Sequence, residues 1–249
     1  MRFIRVPRDI IVWLLLVVSL VLYGVDYLLY GRLQEIAFGF MANLAFLPVY
    51  VLFVTLMIER VLKEREREAI MKKLNMVIGV FFSEVGNHLL HDFLAFTCDG
   101  RKLSERLSFT PQWEDEDFAA ALAFVKGHDF CLDSTLGDRE ALKAFLVEKR
   151  GVMLSLMENP NLLEHEAFTD LLWAVFHLIE ELQARTKLDR LPESDLDHLS
   201  GDMKRAHALL LIQWLNYLRH LRQDYPYLFS LAVRMNPMNP EASAEVVYR

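Results

Sequence analysis

The residues of this 249-residue chain that could do chemistry are histidines and carboxylates set on otherwise apolar helical stretches. Glu84, His88, His91 and Asp92 fall at spacings of four, seven and eight, which puts them on one face of a helix. Farther along, Glu166, Asp170, His177, Glu180 and Glu181 recur at similar spacings, with His177 among Trp173, Phe176 and Leu178. A third stretch offers His198, Asp202 and His207. Helical bundles bind paired iron or manganese ions through Glu and His side chains that converge from facing helices, usually with a Glu-x-x-His motif on two of them. These segments lack that motif: Glu84 to His88 is one residue too long, and His177 to Glu180 runs in the reverse order. The ligand set expected for a metal is Glu84, Asp170, His177 and Glu181. The competing reading is a solvated acidic face and a hydrogen-bonded core His177.

A second arrangement is His91, Cys98, His128 and Cys131. His128 and Cys131 have the spacing that lets two side chains chelate one zinc from a loop, and His91 with Cys98 would close the tetrahedron. The alternative is two reduced cytoplasmic thiols with no disulfide, Cys131 packing beside Phe130 and Leu132. Other chemistries are absent from the sequence: there is no Gly-rich phosphate loop, no Gly-x-Ser-x-Gly elbow, no His-Glu-x-x-His and no kinase signature. No catalytic residue is therefore assigned, a metal ion is the one cofactor considered, and the chain leans away from being an enzyme.

The elements that must carry these groups begin with a membrane anchor. The 16 residues from Ile10 to Val25 and the 23 residues from Ile36 to Ile58 contain no Asp, Glu, Lys or Arg. As helices, spans of residues 10–30 and 36–58 would be about 31 and 34 Å long, enough to cross a ~30 Å hydrocarbon core. The short connection between them makes residues 1–58 a transmembrane hairpin. Three basic residues precede the first span and six follow the second (Arg60, Lys63, Arg65, Arg67, Lys72 and Lys73), so both termini are expected to face the cytoplasm. Asp26, near the outer interface, and Asn43 are the polar groups within the spans, and they are the groups a small oligomeric channel or transporter would use.

Residues 59–73 alternate acid and base and read as a charged juxtamembrane helix. Residues 74–235 read as a cytoplasmic all-α domain. Its helices are expected up to Phe93, from Pro111 to Gly127, from Asp138 to Lys149 with Gly151 as a stop, from an Asn161 and Glu164 capping box to Arg185, and from Asp195 to Asp224 after Ser194. Residues 236–249 read as a flexible tail. The fold class is thus all-α, a two-helix transmembrane hairpin continuing into a cytoplasmic helical bundle. Residues 1–73 hold 10 basic against 7 acidic side chains, a net of +3, which leaves 17 against 27, a net of −10, downstream. That acidity argues against nucleic acid as a partner.

Three phrases carry a resemblance: Leu74-Asn75-Met76-Val77-Ile78-Gly79 running into Phe81-Phe82-Ser83-Glu84-Val85-Gly86, Glu158-Asn159-Pro160-Asn161 running on to Trp173-Ala174-Val175-Phe176-His177, and Tyr225-Pro226-Tyr227-Leu228-Phe229. With the apolar hairpin they resemble a family of prokaryotic two-pass membrane proteins with no assigned activity. The resemblance implies a prokaryotic plasma (inner) membrane and nothing about mechanism. The expectation for function is an oligomeric scaffold, interaction or regulatory module, homo-oligomeric and open to a cytoplasmic protein partner, with a metal-binding enzyme or sensor as its rival.

Overall fold

Gly31, at φ 62°, takes the left-handed conformation that only glycine adopts cheaply, and it ends the first helix, α1 (Arg8–Tyr30). The second, α2 (Leu33–Phe81), starts two residues later, so the connection is shorter than the five residues expected. Arg32 pairs with Glu35 at 2.7 Å across the opening turn of α2, and the Tyr23 ring meets Phe40 edge-on at 6.4 Å. This computed structural model describes residues 8–160, 162, 165–239 and 241–246. The expected Asn161 and Glu164 capping box, and Arg2 and Arg5, lie outside the described residues. The chain divides into two units, residues 1–67 and 68–249. In the first, the apolar side chains of both helices are exposed, from Trp13 to Leu29 and from Phe38 to Ile58. Of the described helices, α2 with its continuation is long and apolar enough to cross a membrane, while Trp13–Leu29 is a shorter apolar stretch. Pro48 sits inside α2 without ending it.

In the second unit the apolar stripe of α2 runs into a π-helical turn, Phe82–Gly86, and then α3 (Asn87–Phe96). A π turn inserts an extra residue into the helical repeat and rotates the following side chains about the axis. The consequence here is that Phe81, Phe82, Val85, Leu89, Leu90 and Phe93 are all buried, two adjacent phenylalanines included. Gly79 lets the rod approach α8 closely: a Cβ there would stand 3.2 Å from the Tyr217 hydroxyl. Phe82 stacks on the Tyr217 ring at 5.1 Å.

The remaining helices are α4 (Gly100–Arg106), α5 (Asp115–Gly127), α6 (Arg139–Met157), α7 (Glu166–Ala184), α8 (Glu193–Asp224) and α9 (Pro226–Arg234). Several boundaries depart from expectation for local reasons. A capping box between Glu114 and Asp117 starts α5 four residues after Pro111, because their carboxylates and backbone amides satisfy each other. Asp138 caps α6 by accepting from the Ala141 amide, and the helix runs through Gly151, which is exposed and meets no constraint that would stop it. The cap of α8 is Pro192 rather than Ser194, and that of α7 is His165, whose Nδ1 accepts from the Phe168 amide. The helix touched by the most elements is α8, packed along α3, α5, α7 and α9, so it is the central strut. Among the described residues there is no strand, only an isolated antiparallel bridge between Thr97 and Leu132.

The segment after α9 corrects the expectation of a flexible tail in its first half. Asn236 and Met238 are buried; the Asn236 amide donates to the Leu107 carbonyl at 3.1 Å, and the Ser104 hydroxyl donates to the Met238 carbonyl at 2.7 Å. A further bond from the Ser243 amide to Arg234 fixes the chain back onto α9.

Candidate metal centre

On a helix, residues four apart lie one above the other, so a His and a carboxylate at that spacing form a ready-made pair. Among the described residues four such pairs are in contact: His88 with Asp92, His177 with Glu181, His198 with Asp202, and His220 with Asp224. Two of them face each other, because α7 and α8 are consecutive and pack side by side. Leu178 and Leu182 beside the first pair and Leu199 and Met203 beside the second are buried, and this apolar seam sets the register that brings the polar pairs together.

The loop between the helices is pinned as well. Arg139 of α6 donates from Nε and Nη2 to the Leu188 carbonyl, Glu140 accepts from the Leu188 amide, and Lys143 donates to the Arg185 carbonyl. Arg185 then forks onto Asp195 at 2.8 and 2.5 Å and reaches back to Glu181 at 2.6 Å. Its guanidinium holds both carboxyls below the usual carboxylate range.

The centre of the cluster is Asp202. Its side chain is 3% exposed; Oδ2 lies 3.4 Å from His177 Nε2 and 3.3 Å from His198 Nε2. Neither contact is a hydrogen bond, and Oδ2 is buried without a hydrogen-bond partner, whereas Oδ1 meets the Arg205 guanidinium at 3.3 Å. One ligand atom from each of His177, His198 and Asp202 lies within 4.8 Å of the other two. A buried carboxylate oxygen left unpaired between two imidazoles is costly unless a cation or protons satisfy it. Two imidazoles and a carboxylate are the donor set of zinc, iron and manganese sites.

Of the expected ligands, His177 is one of the three and Glu181 lies beside them, its carboxyl oxygens 3.8 Å from His177 and 3.6 Å from His198. Glu84 does not belong to the cluster: it sits exposed on the π turn and pairs with Lys149 at 3.4 Å. Asp170 is exposed two helical turns before His177, about 10 Å away along the axis. His198 and Asp202 were visible as polar groups but unassigned, and the helix-pair register that selects them is not a local signal. In the other unit, Asp26 is half-buried on α1 and Asn43 exposed on α2.

The second arrangement is overturned. Cys98 and Cys131 form a disulfide with Cα atoms 5.5 Å apart, so neither offers a thiolate to zinc and the expectation of two reduced thiols fails. The physical reason is the Thr97 to Leu132 bridge: Cys98 donates from its amide to the Cys131 carbonyl at 3.0 Å and Asp133 to the Phe96 carbonyl at 2.9 Å, which sets the two Cβ atoms side by side. The bond closes a loop across 33 positions, so Cys98→Ser with Cys131→Ser is expected to cost about 2–4 kcal/mol, mostly through the unfolded chain. Thermal unfolding with and without reductant measures it; equal midpoints would show that the bond contributes nothing.

These features define an all-α protein with a pair of apolar N-terminal helices and a C-terminal helical domain that gathers a His and carboxylate cluster. The chain belongs to the MJ1433 family: residues 6–62 match the model described as "MJ1433, N-terminal helical domain", and residues 70–234 match "Uncharacterized protein MJ1433, C-terminal helical domain". It is 44% identical over 225 residues to "Uncharacterized protein MJ1433" of Methanocaldococcus jannaschii, covering 90% of each chain. No solved structure matches.

Proposed function

We propose that the protein is a membrane-anchored metal-binding module whose C-terminal domain holds a divalent transition-metal ion on His177, His198 and Asp202 and serves an interaction or regulatory role. One observation carries the reading: three ligand atoms from two helices converge within 4.8 Å around a buried carboxylate oxygen that nothing else pairs. Two cavities elsewhere in the domain, one lined by Phe124 and His128 and another by Met76 and Tyr217, do not include these three residues.

The anchor is supported by charge-free residues 36–58 and by the exposed apolar surface of α1 and α2. A two-pass arrangement is supported by the two apolar runs, both termini in the cytoplasm by the basic residues flanking them, and a prokaryotic plasma membrane by the family resemblance. The disulfide is compatible with that side in cells whose interior sustains disulfides, as hyperthermophilic prokaryotes do. Several copies per particle, as in an oligomeric scaffold, are compatible with the same centre.

The test is elemental analysis of protein extracted from the membrane fraction with detergent. Zinc, iron or manganese near one ion per chain, lost in His177→Ala and Asp202→Asn, is the expected result. Wild-type protein that carries no metal after incubation with each ion and desalting sinks the reading, and protein recovered wholly without detergent sinks the anchor.

A further inference from the structure

We propose that Glu181 is the fourth protein ligand, so that the centre is a closed, four-coordinate site of two imidazoles and two carboxylates for a zinc-type dication that clamps α7 to α8; this rests on the metal reading above. Each helix then contributes a His and a carboxylate one turn apart, and the site has the same composition on both sides.

Ligand spacing supports it. Nitrogen and oxygen ligands about 2.0–2.2 Å from a tetrahedral ion stand about 3.3–3.6 Å from one another. The Asp202 Oδ2 meets the two imidazole nitrogens at 3.4 and 3.3 Å, and Glu181 approaches them with different oxygens, Oε1 at 3.8 Å from His177 Nε2 and Oε2 at 3.6 Å from His198 Nε2. The two Asp202 edges are already those of a tetrahedron, and a turn of the Glu181 carboxyl that sets one oxygen against both imidazoles supplies the fourth vertex. To do so, Glu181 Oε2 leaves the Arg185 Nη1 donor that it meets at 2.6 Å and turns toward the ion.

Arg185 permits that shift. Its Nε and Nη2 remain on Asp195 at 2.8 and 2.5 Å, and Nη1 also reaches the Glu181 carbonyl at 2.6 Å, so the guanidinium keeps its partners when the Glu181 side chain turns to the ion. Charge balance points the same way. Two neutral imidazoles and one carboxylate leave a dication with a net charge of about +1, and a second carboxylate cancels it in a site where Asp202 is shielded from water.

Cobalt(II) reports coordination number through its visible absorption, intense for four ligands and weak for six. Full-length protein in detergent is stripped, loaded with Co²⁺ and titrated with Zn²⁺, alongside Glu181→Gln and, as a matched loss of charge one residue away, Glu180→Gln. Wild type and Glu180→Gln are expected to give the intense four-coordinate bands, and Glu181→Gln to lose them while zinc affinity falls about 10–100-fold. Glu181→Cys adds a positive signal: a thiolate bound to cobalt gives a near-ultraviolet charge-transfer band that a merely structural position 181 would not produce. If wild type binds neither ion, the metal reading itself fails. If cobalt binds with identical spectra in wild type and Glu181→Gln and no charge-transfer band arises in Glu181→Cys, the metal reading stands and the fourth ligand is wrong.

Discussion

Trp214→Ala is expected to remove about 3–5 kcal/mol from the stability of the C-terminal domain, a large share of the roughly 5–15 kcal/mol a domain has in total. Trp214 is 1% exposed and lies on α8, the strut against which α3, α5, α7 and α9 pack. Phe109 presents its edge to the indole at 5.3 Å, and Phe109 in turn meets Trp113 at 6.1 Å and Phe229 at 5.9 Å. Truncation would thus open a cavity where the α4–α5 loop, α8 and α9 meet, with rings on its walls too rigid to collapse into it. Trp214→Phe should cost distinctly less, since it keeps an aromatic edge for Phe109. Urea or thermal unfolding in detergent reads both variants. A loss below about 1 kcal/mol for the alanine variant would mean that the cluster is not part of the cooperative core.

The helices were legible because a buried rod must repeat its apolar residues every three to four positions. The stripe from Leu74 to Phe93 and the seam from Leu199 to Leu221 both do so, and most of their members are buried, Val77 and Tyr217 only partly. The stripe gave no warning of the π turn, since adjacent buried Phe81 and Phe82 fit a broad apolar face equally well. Helix ends depart from the local pattern where a cap competes with a stronger-looking signal: Pro111 looks like a start although the Glu114 and Asp117 box lies downstream, and Gly151 looks like a stop although α6 continues past it.

The site was half legible for a different reason. Spacing within one helix shows which side chains share a face, so His177 with Glu181 could be found. Which face another helix presents is decided by tertiary register. Pairs such as His88 with Asp92 and His220 with Asp224 have the same local spacing as the pairs on α7 and α8, yet they stand apart from this centre. The disulfide escaped for the same cause, since its cysteines are 33 positions apart and only the Thr97 to Leu132 bridge brings them together. Nonlocal geometry, not residue type, separates the clustered groups from the bystanders.

Acid should destabilise the C-terminal domain well above the carboxylate range, and His207 is the reason. The ring is completely buried on α8, edge-on to Phe93 at 5.4 Å and to Phe130 at 5.2 Å, and neither nitrogen has a hydrogen-bond partner. Burial without a counter-charge pushes its pKa down from 6.5 to about 3. The unfolded chain takes up this proton as the pH drops below 6.5, while the folded protein refuses it until about 3. Stability from this group is therefore complete above the unfolded pKa and is lost as pH falls, by up to about 1.4 kcal/mol per pH unit and about 2–3 kcal/mol by pH 4.5. Glu181, Asp115, Asp129, Asp133 and Asp195, held below the ordinary carboxylate range by their partners, give up their contribution only at more acidic pH, so the first losses are assignable to the imidazole. His207→Leu removes the titration, keeps the apolar volume and deletes two unpaired nitrogens. It should flatten the dependence between pH 6.5 and 4.5 by one proton and raise stability at pH 7.5 by about 1–3 kcal/mol. Unfolding midpoints of wild type and variant across that range decide it: parallel curves would mean that the buried imidazole is paired in solution and that the domain's acid sensitivity has another source.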